Sequence, residues 1–422
     1  MRPIAGIAAA ALMLALPGTA LGQSDPLRGQ QWNLDMIEAD AAHPISRGAG
    51  AVVAVVDSGV AASHPDLGGR LLGGRDFVDN DGTPQDGNGH GTHVSGIVAA
   101  NAGNGVGVSS VAPGARVLPV RVLGDDGSGA SSAVAAGIDW AAANGAHVIN
   151  LSLGEEVALI GGSSEFAAAI RRALDRGLVV VAASGNNGLP ACEQPAAEGR
   201  LLCVGAVDRR GMRSFFSSFG RGLGVVAPGG SGLPIAGEDI LSTKNDGGYE
   251  ELAGTSQAAP HVAGVAALLV AKGLRGKAVA ERIVATARDA GTPGPDPEYG
   301  AGIVNARAAV SGLPAGGGAG SARVYVPRVQ RLRDVLRGGL RVRCRATRGG
   351  RCRAAVSRRK RRLAYGSRRV RANRAASFRA RANRRGRRAL GSALRRRKRI
   401  RVNVRVTLPG ARAARRVVTL RP

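Results

Sequence analysis

The chain has 422 residues, 44% of them hydrophobic, enough for about two or three domains with a sizeable core, which excludes a wholly disordered chain or a disulfide miniprotein. Its net charge of +29 is divided unevenly: 37 of the 59 Lys and Arg, but one of the 30 Asp and Glu (Asp334), fall after Gly320. A mildly acidic body therefore carries a basic C-terminal region, and the ratio of 54 Arg to 5 Lys is also what GC-rich coding would give without selection for binding.

In chain order, Arg2, an apolar run from Ile4 to Leu16, a Pro17-Gly18 break and the small residues Ala20 and Gly22 read as a signal peptide over 1–22. The run is shorter than the roughly 20 residues a membrane span needs, and no other stretch reaches that length. The expectation is a secreted protein with no transmembrane segment in its mature form. After an arm over 23–50, the continuous apolar run Ala51–Val56 reads as a buried parallel strand. Further strands are expected at Val117–Val122, Ala146–Leu151, Leu178–Ala183, Leu202–Ala206 and Val225–Ala227. Helices are expected at His90–Ala100, Ser131–Asn144, Ser164–Arg176, Ser256–Lys272 and Lys277–Ala290. This alternation predicts an α/β fold, a parallel sheet with helices on both faces, spanning 23–313.

Residues 314–321 are a glycine-rich linker by composition. Beyond it, over 322–422, Leu340, Val342, Cys344 and Ala346 alternate with arginines, as do Val402, Val404, Val406 and Leu408 with polar residues. Strict period two argues half-buried strands and a small C-terminal β-sandwich; a partly disordered basic domain is the alternative, since charge of this density repels itself. Such a region suits anionic polymers, nucleic acid or wall polymer, or a cell surface; with only Tyr325, Tyr365 and Phe378 as aromatics, any nucleic-acid binding is expected to be largely phosphate-driven and salt-sensitive rather than built on stacking. Four cysteines allow several connectivities. Cys192 with Cys203, and Cys344 with Cys352, are the expected disulfides because each pair falls within one domain of an exported chain. No metal-binding Cys/His spacing is present.

Three segments carry the chemistry: Val55-Val56-Asp57-Ser58-Gly59, His90-Gly91-Thr92-His93-Val94-Ser95-Gly96 and Gly254-Thr255-Ser256-Gln257-Ala258-Ala259-Pro260-His261. Each puts one member of an Asp/His/Ser triad in a glycine-framed turn at the edge of a regular element. A serine hydroxyl becomes a nucleophile only when a base removes its proton. Ser256 would attack a scissile carbonyl, His90 would move the proton, and Asp57 would hold the imidazole tautomer. In this order the segments resemble the subtilisin-like serine proteases (subtilases), nearest the thermitase-like branch, from about Asp25 to Ala309.

The resemblance implies a secreted, monomeric endopeptidase acting on proteins and peptides, with no catalytic cofactor. It gives Asn186, in Ser184-Gly185-Asn186-Asn187, the role of oxyanion donor, and it implies that Gly127, Ser128 and Gly129 with Ser152, Leu153 and Gly154 flank an extended peptide. Glu193, counted back from Pro195, matches the floor of the specificity pocket and would favour Arg or Lys before the scissile bond; pointing into solvent is its alternative. Structural calcium is implied at Asp76, Asp81, Thr83 and Gln85, and at Asp25, Asp66 and Asn104 with neighbouring carbonyls. Two departures stand out. The stretch between the signal-like segment and Asp57 is short for the family's prosegment, and Gln257 stands where many relatives carry Met. The rival reading is a catalytically silent secreted binding protein led by its basic region.

Overall fold

The computed structural model describes residues 25–153, 163–194, 196, 200–313, 322–327, 329–346, 350–358, 361–371, 375–408 and 411–422. The expected signal peptide, the whole glycine-rich linker over 314–321 and Gly154 lie outside them.

Short helices α1 (Trp32–Met36) and α2 (Ala39–Ala42) precede β1 (Val52–Asp57), β2 (Arg75–Asp76), α3 (His90–Ala99), β3 (Arg116–Arg121), α4 (Ser131–Ala143) and β4 (Val148–Leu151). Then follow α5 (Ser163–Asp175), β5 (Val179–Ala183), β6 (Leu202–Val207), β7 (Leu223–Pro228), the hairpin β8 (Ile240–Thr243) and β9 (Tyr249–Leu252), α6 (Thr255–Ala271), α7 (Lys277–Ala285) and α8 (Ala306–Val310). Seven strands form one parallel sheet in the order β2-β3-β1-β4-β5-β6-β7. The continuous apolar runs follow from burial on both faces. Val53, Val55, Val179 and Val181 face a core shared with α3, α6, α7 and α8. Their neighbours Ala54, Val56, Val180 and Ala182 face the opposite core, against α4 and α5.

Two elements differ from expectation. The seventh helix ends at Ala285 rather than Ala290, because Arg288 leaves it to bridge Ile303. The β8–β9 hairpin escaped the hydrophobic pattern, since all four residues of β9 are only half-buried.

The C-terminal region is β-rich: β10 (Ala322–Tyr325), β11 (Val329–Arg331), α9 (Leu332–Gly338), β12 (Leu340–Ala346), β13 (Gly350–Arg358), β14 (Arg361–Val370), β15 (Ala375–Ala382), α10 (Arg384–Arg395), β16 (Ile400–Leu408) and β17 (Ala411–Arg421). The strands follow one hydrogen-bonded order, β10-β12-β15-β14-β13-β16-β17-β11, in which β14 and β15 are joined by only two residue pairs, Ala364 with Ala382 and Tyr365 with Arg381. The alternation is realised as expected: Leu340, Val342, Cys344, Val402, Val404 and Val406 point into one core, closed by Leu332, Val335 and Leu390 of the two helices. Cys192–Cys203 and Cys344–Cys352 are disulfide-bonded.

Candidate active site

In a parallel sheet, ligand chemistry gathers beyond the carboxyl ends of the strands. Asp57 is the last residue of β1, His90 the first of α3 and Ser256 the second of α6. The Asp57 carboxylate is fully buried; its Oδ1 accepts from His90 Nδ1 at 2.8 Å and from Ser58 N–H at 2.8 Å. This acceptor puts the proton on Nδ1 and leaves Nε2 as the lone-pair nitrogen. Gly91 lets α3 come this close, because a Cβ there would lie 2.2 Å from the Gly59 carbonyl. Burial lowers the His90 pKa, but the charge and hydrogen bond of Asp57, with the charge of Asp86, outweigh it and leave it raised.

His90 and Ser256 line a cavity of about 290 Å³ with Asn186, Gly127, Ser152, Leu153 and Glu193. Asn186 Oδ1 accepts from both the N–H and the hydroxyl of Thr255, each at 2.9 Å. With its oxygen engaged, the amide offers its Nδ2 donors to the cavity. At the start of α6 the Thr255 N–H bonds Asn186, and those of Gln257 and Ala258 bond the Gly254 carbonyl, which leaves the Ser256 N–H and the positive dipole end for the same space. Ser152 Oγ donates to the Ser256 carbonyl at 2.6 Å, tying one wall of the cavity to the helix. The arrangement provides a base, a hydroxyl and donors for a developing oxyanion in one concavity.

Of the expected cleft residues, Ser128 and Gly129 do not line the cavity. Ser128 N–H and hydroxyl bond Asp126, and Gly129 packs on the Val122 carbonyl. Glu193 does line it and does not point into solvent: it is 6% exposed. Its Oε2 accepts from Asn187 Nδ2 at 2.8 Å and its Oε1 from Asn187 N–H and the Ser218 hydroxyl. Gly185, at φ +106°, makes room, since a Cβ there would collide with Oε1.

Some contributors were not found from sequence. Asp86 is buried and accepts from Ser58 Oγ, Gly89 N–H and both Thr92 N–H and hydroxyl, fixing the turn that presents His90. An Asp in Asp86-Gly87-Asn88-Gly89 just before a helix was the available signal. Thr255, Asn187 and Ser218 carried none.

The two calcium candidates differ. Asp76 is already answered: Oδ1 accepts from Val78 and Asp79 N–H, and Oδ2 from Arg121, whose guanidinium also bonds Asp79 and Asp125. Asp81, Thr83 and Gln85 are exposed, which makes this loop the weaker candidate. At the other, Asp25 and Asp66 are 7% and 0% exposed, and neither pairs with a cationic side chain among the described residues. Asp25 accepts from Gly103 and Asn104 N–H; Asp66 accepts from Asn104 Nδ2, Val108 N–H and Tyr249 Oη. Desolvation raises the Asp66 pKa, and burial together with the Asp66 and Asp25 charges raises that of Tyr249. Two buried carboxylates without a counter-charge, beside an amide that can turn its oxygen inward, fit a hard cation.

The sequence model of the Subtilase family matches residues 48–302. Thermitase from Thermoactinomyces vulgaris is 46% identical over 251 residues, 59% of this chain and 86% of that protein. Subtilisin BL from Lederbergia lenta is 43% identical over 281 residues, 66% of this chain and 97% of its own. Among solved structures, a protease from Pseudoalteromonas arctica PAMC 21717 superposes with a TM-score of 0.63 at 34% identity, covering 69% of this chain and all of that one. A cold-adapted subtilisin-like serine proteinase superposes at 0.53, with 35% identity over 62% of this chain and 88% of that one. The parallel sheet, its right-ordered Asp, His and Ser, and these likenesses make one statement: this chain belongs to the subtilase family and is a subtilisin-type serine endopeptidase.

Proposed function

We propose that this endopeptidase is exported and cleaves proteins through Asp57, His90 and Ser256, preferring Arg or Lys before the scissile bond. The observation that carries the reading is the 2.8 Å contact of His90 Nδ1 with Asp57 at the rim of a cavity that Ser256 and Asn186 share. Ser256 Oγ attacks the peptide carbonyl as His90 Nε2 takes its proton. The oxyanion receives donors from Asn186 Nδ2 and the start of α6. His90 returns the proton to the leaving amine, and water then repeats the sequence on the acyl-enzyme.

The basic preference is supported by Glu193, a carboxylate in the cavity wall whose partners are all neutral. A cationic side chain would meet it in a partly desolvated site, where charge complementarity is strongest. Export is supported by the residue pattern of 1–22 and by both disulfides. We read 23–313 as the catalytic unit and 322–422 as a separate basic unit. Calcium bound by Asp25, Asp66 and Asn104 would neutralise buried charge and brace the N-terminal arm; it takes no part in the reaction. The test is casein hydrolysis by the purified protein beside Ser256→Ala, with a serine-directed phosphonate as label. Activity and labelling lost together in the variant support the triad; casein hydrolysis surviving in Ser256→Ala overturns it.

A further inference from the structure

On the outer face of the C-terminal sheet, like charges stand opposite one another. Arg341 on β12 pairs in register with Arg379 on β15, with Arg343 beside Ser377 in the next outward row. Facing side chains across antiparallel strands start about 5 Å apart, and like charges there destabilise the pair. Both arginines are exposed, and neither pairs with a carboxylate among the described residues. The one acid after Gly320 is Asp334, on α9. The sheet therefore holds an electrostatic cost that an anion would relieve.

Two aromatic rings belong to the same face. Tyr325 on β10 pairs with Arg343 and is 66% exposed; Tyr365 on β14 pairs with Arg381 and is 44% exposed. The Arg362 guanidinium lies 5.8 Å from the Tyr365 ring centre. Between Tyr325, Arg341, Arg343 and Arg379 runs a concavity of about 710 Å³. Exposed rings at both ends of an arginine track are unexplained by folding, since burial would have been their stabilising contribution.

We propose that this face binds single-stranded nucleic acid, the arginines holding phosphates and Tyr325 and Tyr365 stacking on unpaired bases. The track offers many cationic donors and two π-faces, while its side-chain acceptors are only the neutral hydroxyls of Ser377, Tyr325 and Tyr365. It suits phosphate oxygens, which only accept, better than the hydroxyls of an acidic glycan, which also need acceptors. A duplex keeps its bases stacked away from such a face, whereas a single strand presents them. A lipid surface would be favoured by apolar side chains that insert; beside the arginine track the face exposes the two tyrosines, and its exposed Val417 and Val329 stand on other strands, β17 and β11. The proposal rests on the C-terminal sheet alone and not on the protease reading.

The test is fluorescence anisotropy of labelled oligothymidylate with full-length Ser256→Ala protein, which cannot cleave itself if the triad is correct; gel analysis checks that the chain stays intact. Affinity should fall steeply with salt, and the Arg341→Gln/Arg379→Gln double variant should lower the log–log salt slope by about one to two. Tyr325→Ala and Tyr365→Ala should each weaken binding about fivefold or more, leaving that slope unchanged, while Tyr325→Phe binds like the parent. Arg385→Gln/Arg388→Gln on α10 removes the same charge elsewhere and should change affinity less than about threefold. Thermal melting confirms that each variant folds. Equal loss from the α10 pair overturns the site, as does no binding at low salt. Tyrosine variants that bind like the parent, or a duplex that binds as tightly, overturn the single-strand assignment in favour of charge alone.

Discussion

Thr255 donates twice to the Oδ1 of Asn186, from its backbone and from its hydroxyl, across 69 positions of sequence. The pair settles which end of an amide enters the cavity. Thr255→Val keeps shape and removes one of the two donors, so Asn186 should lose part of its orientation. The expected outcome is kcat lowered by about tenfold with KM nearly unchanged, because an oxyanion donor acts in the transition state. Asn186→Leu should cost more, about 10²–10³ in kcat, the magnitude measured for this donor in another subtilisin-family enzyme. Steady-state kinetics on one peptide substrate separates kcat from KM; a change confined to KM would assign both residues to substrate binding.

His90 must be neutral to act as a base, so activity is present above its pKa and lost below it. Because Asp57 and Asp86 hold that pKa above the usual 6.5, the acid limb of kcat/KM against pH should lie above 6.5. Asp57→Asn removes the charge and should move the limb to lower pH, while lowering kcat by about 10⁴. A limb that stays put in the variant would mean that another group controls it.

Glu193→Gln keeps the hydrogen-bond shape and removes the charge. Peptides with Arg or Lys before the scissile bond should lose about ten- to hundredfold in kcat/KM, with Leu and Phe peptides little affected or improved. A peptide panel differing only at that residue reads it directly. Wild-type enzyme that cleaves after Leu or Phe as well as after Arg would remove the basic preference.

The sheet was legible because burial on both faces writes itself as unbroken apolar runs, Ala51–Val56 being one. The candidate triad could be proposed from sequence because each of Asp57, His90 and Ser256 sits in its own short glycine-framed segment. What could not be read is orientation. Whether Glu193 turns inward depends on Ser218, 25 positions away, and on the space at Gly185. The same holds for Asn186, and for the neutralisation of Asp76 by Arg121, 45 positions on. The β8–β9 hairpin was missed because β9 has no buried face to impose a period. In the C-terminal region the alternation gave the strands, but which arginines oppose each other is a matter of register, fixed only by the whole sheet.

Gln257 follows the nucleophile and is 2% exposed. A thioether at this position would be oxidised to a polar sulfoxide beside the reacting hydroxyl. The protein should keep most of its activity in dilute peroxide, and Gln257→Met should lose it in a time-dependent way. Equal loss in both would point to another oxidisable residue.

If the proposed cation is bound between Asp25 and Asp66, the N-terminal arm should depend on it, because the two buried carboxylates have no cationic partner among the described residues. Asp25 bonds the Gly103-Asn104 turn and Asp66 the same turn through the Asn104 side chain, so both acids hold one loop. A cation bound only by the folded state stabilises it by mass action, and its removal takes that stability away. Chelation should lower Tm by several degrees, since about 1 kcal/mol shifts a domain of this size by about 2–4 °C. Asp66→Asn should abolish most of this effect, because it removes a ligand charge that calcium requires. Asp76→Asn should abolish less, since Arg121 already neutralises that carboxylate. Calorimetry with and without chelator on the three proteins decides: an unchanged Tm in the parent removes both sites, and a larger effect of Asp76→Asn would reverse their ranking.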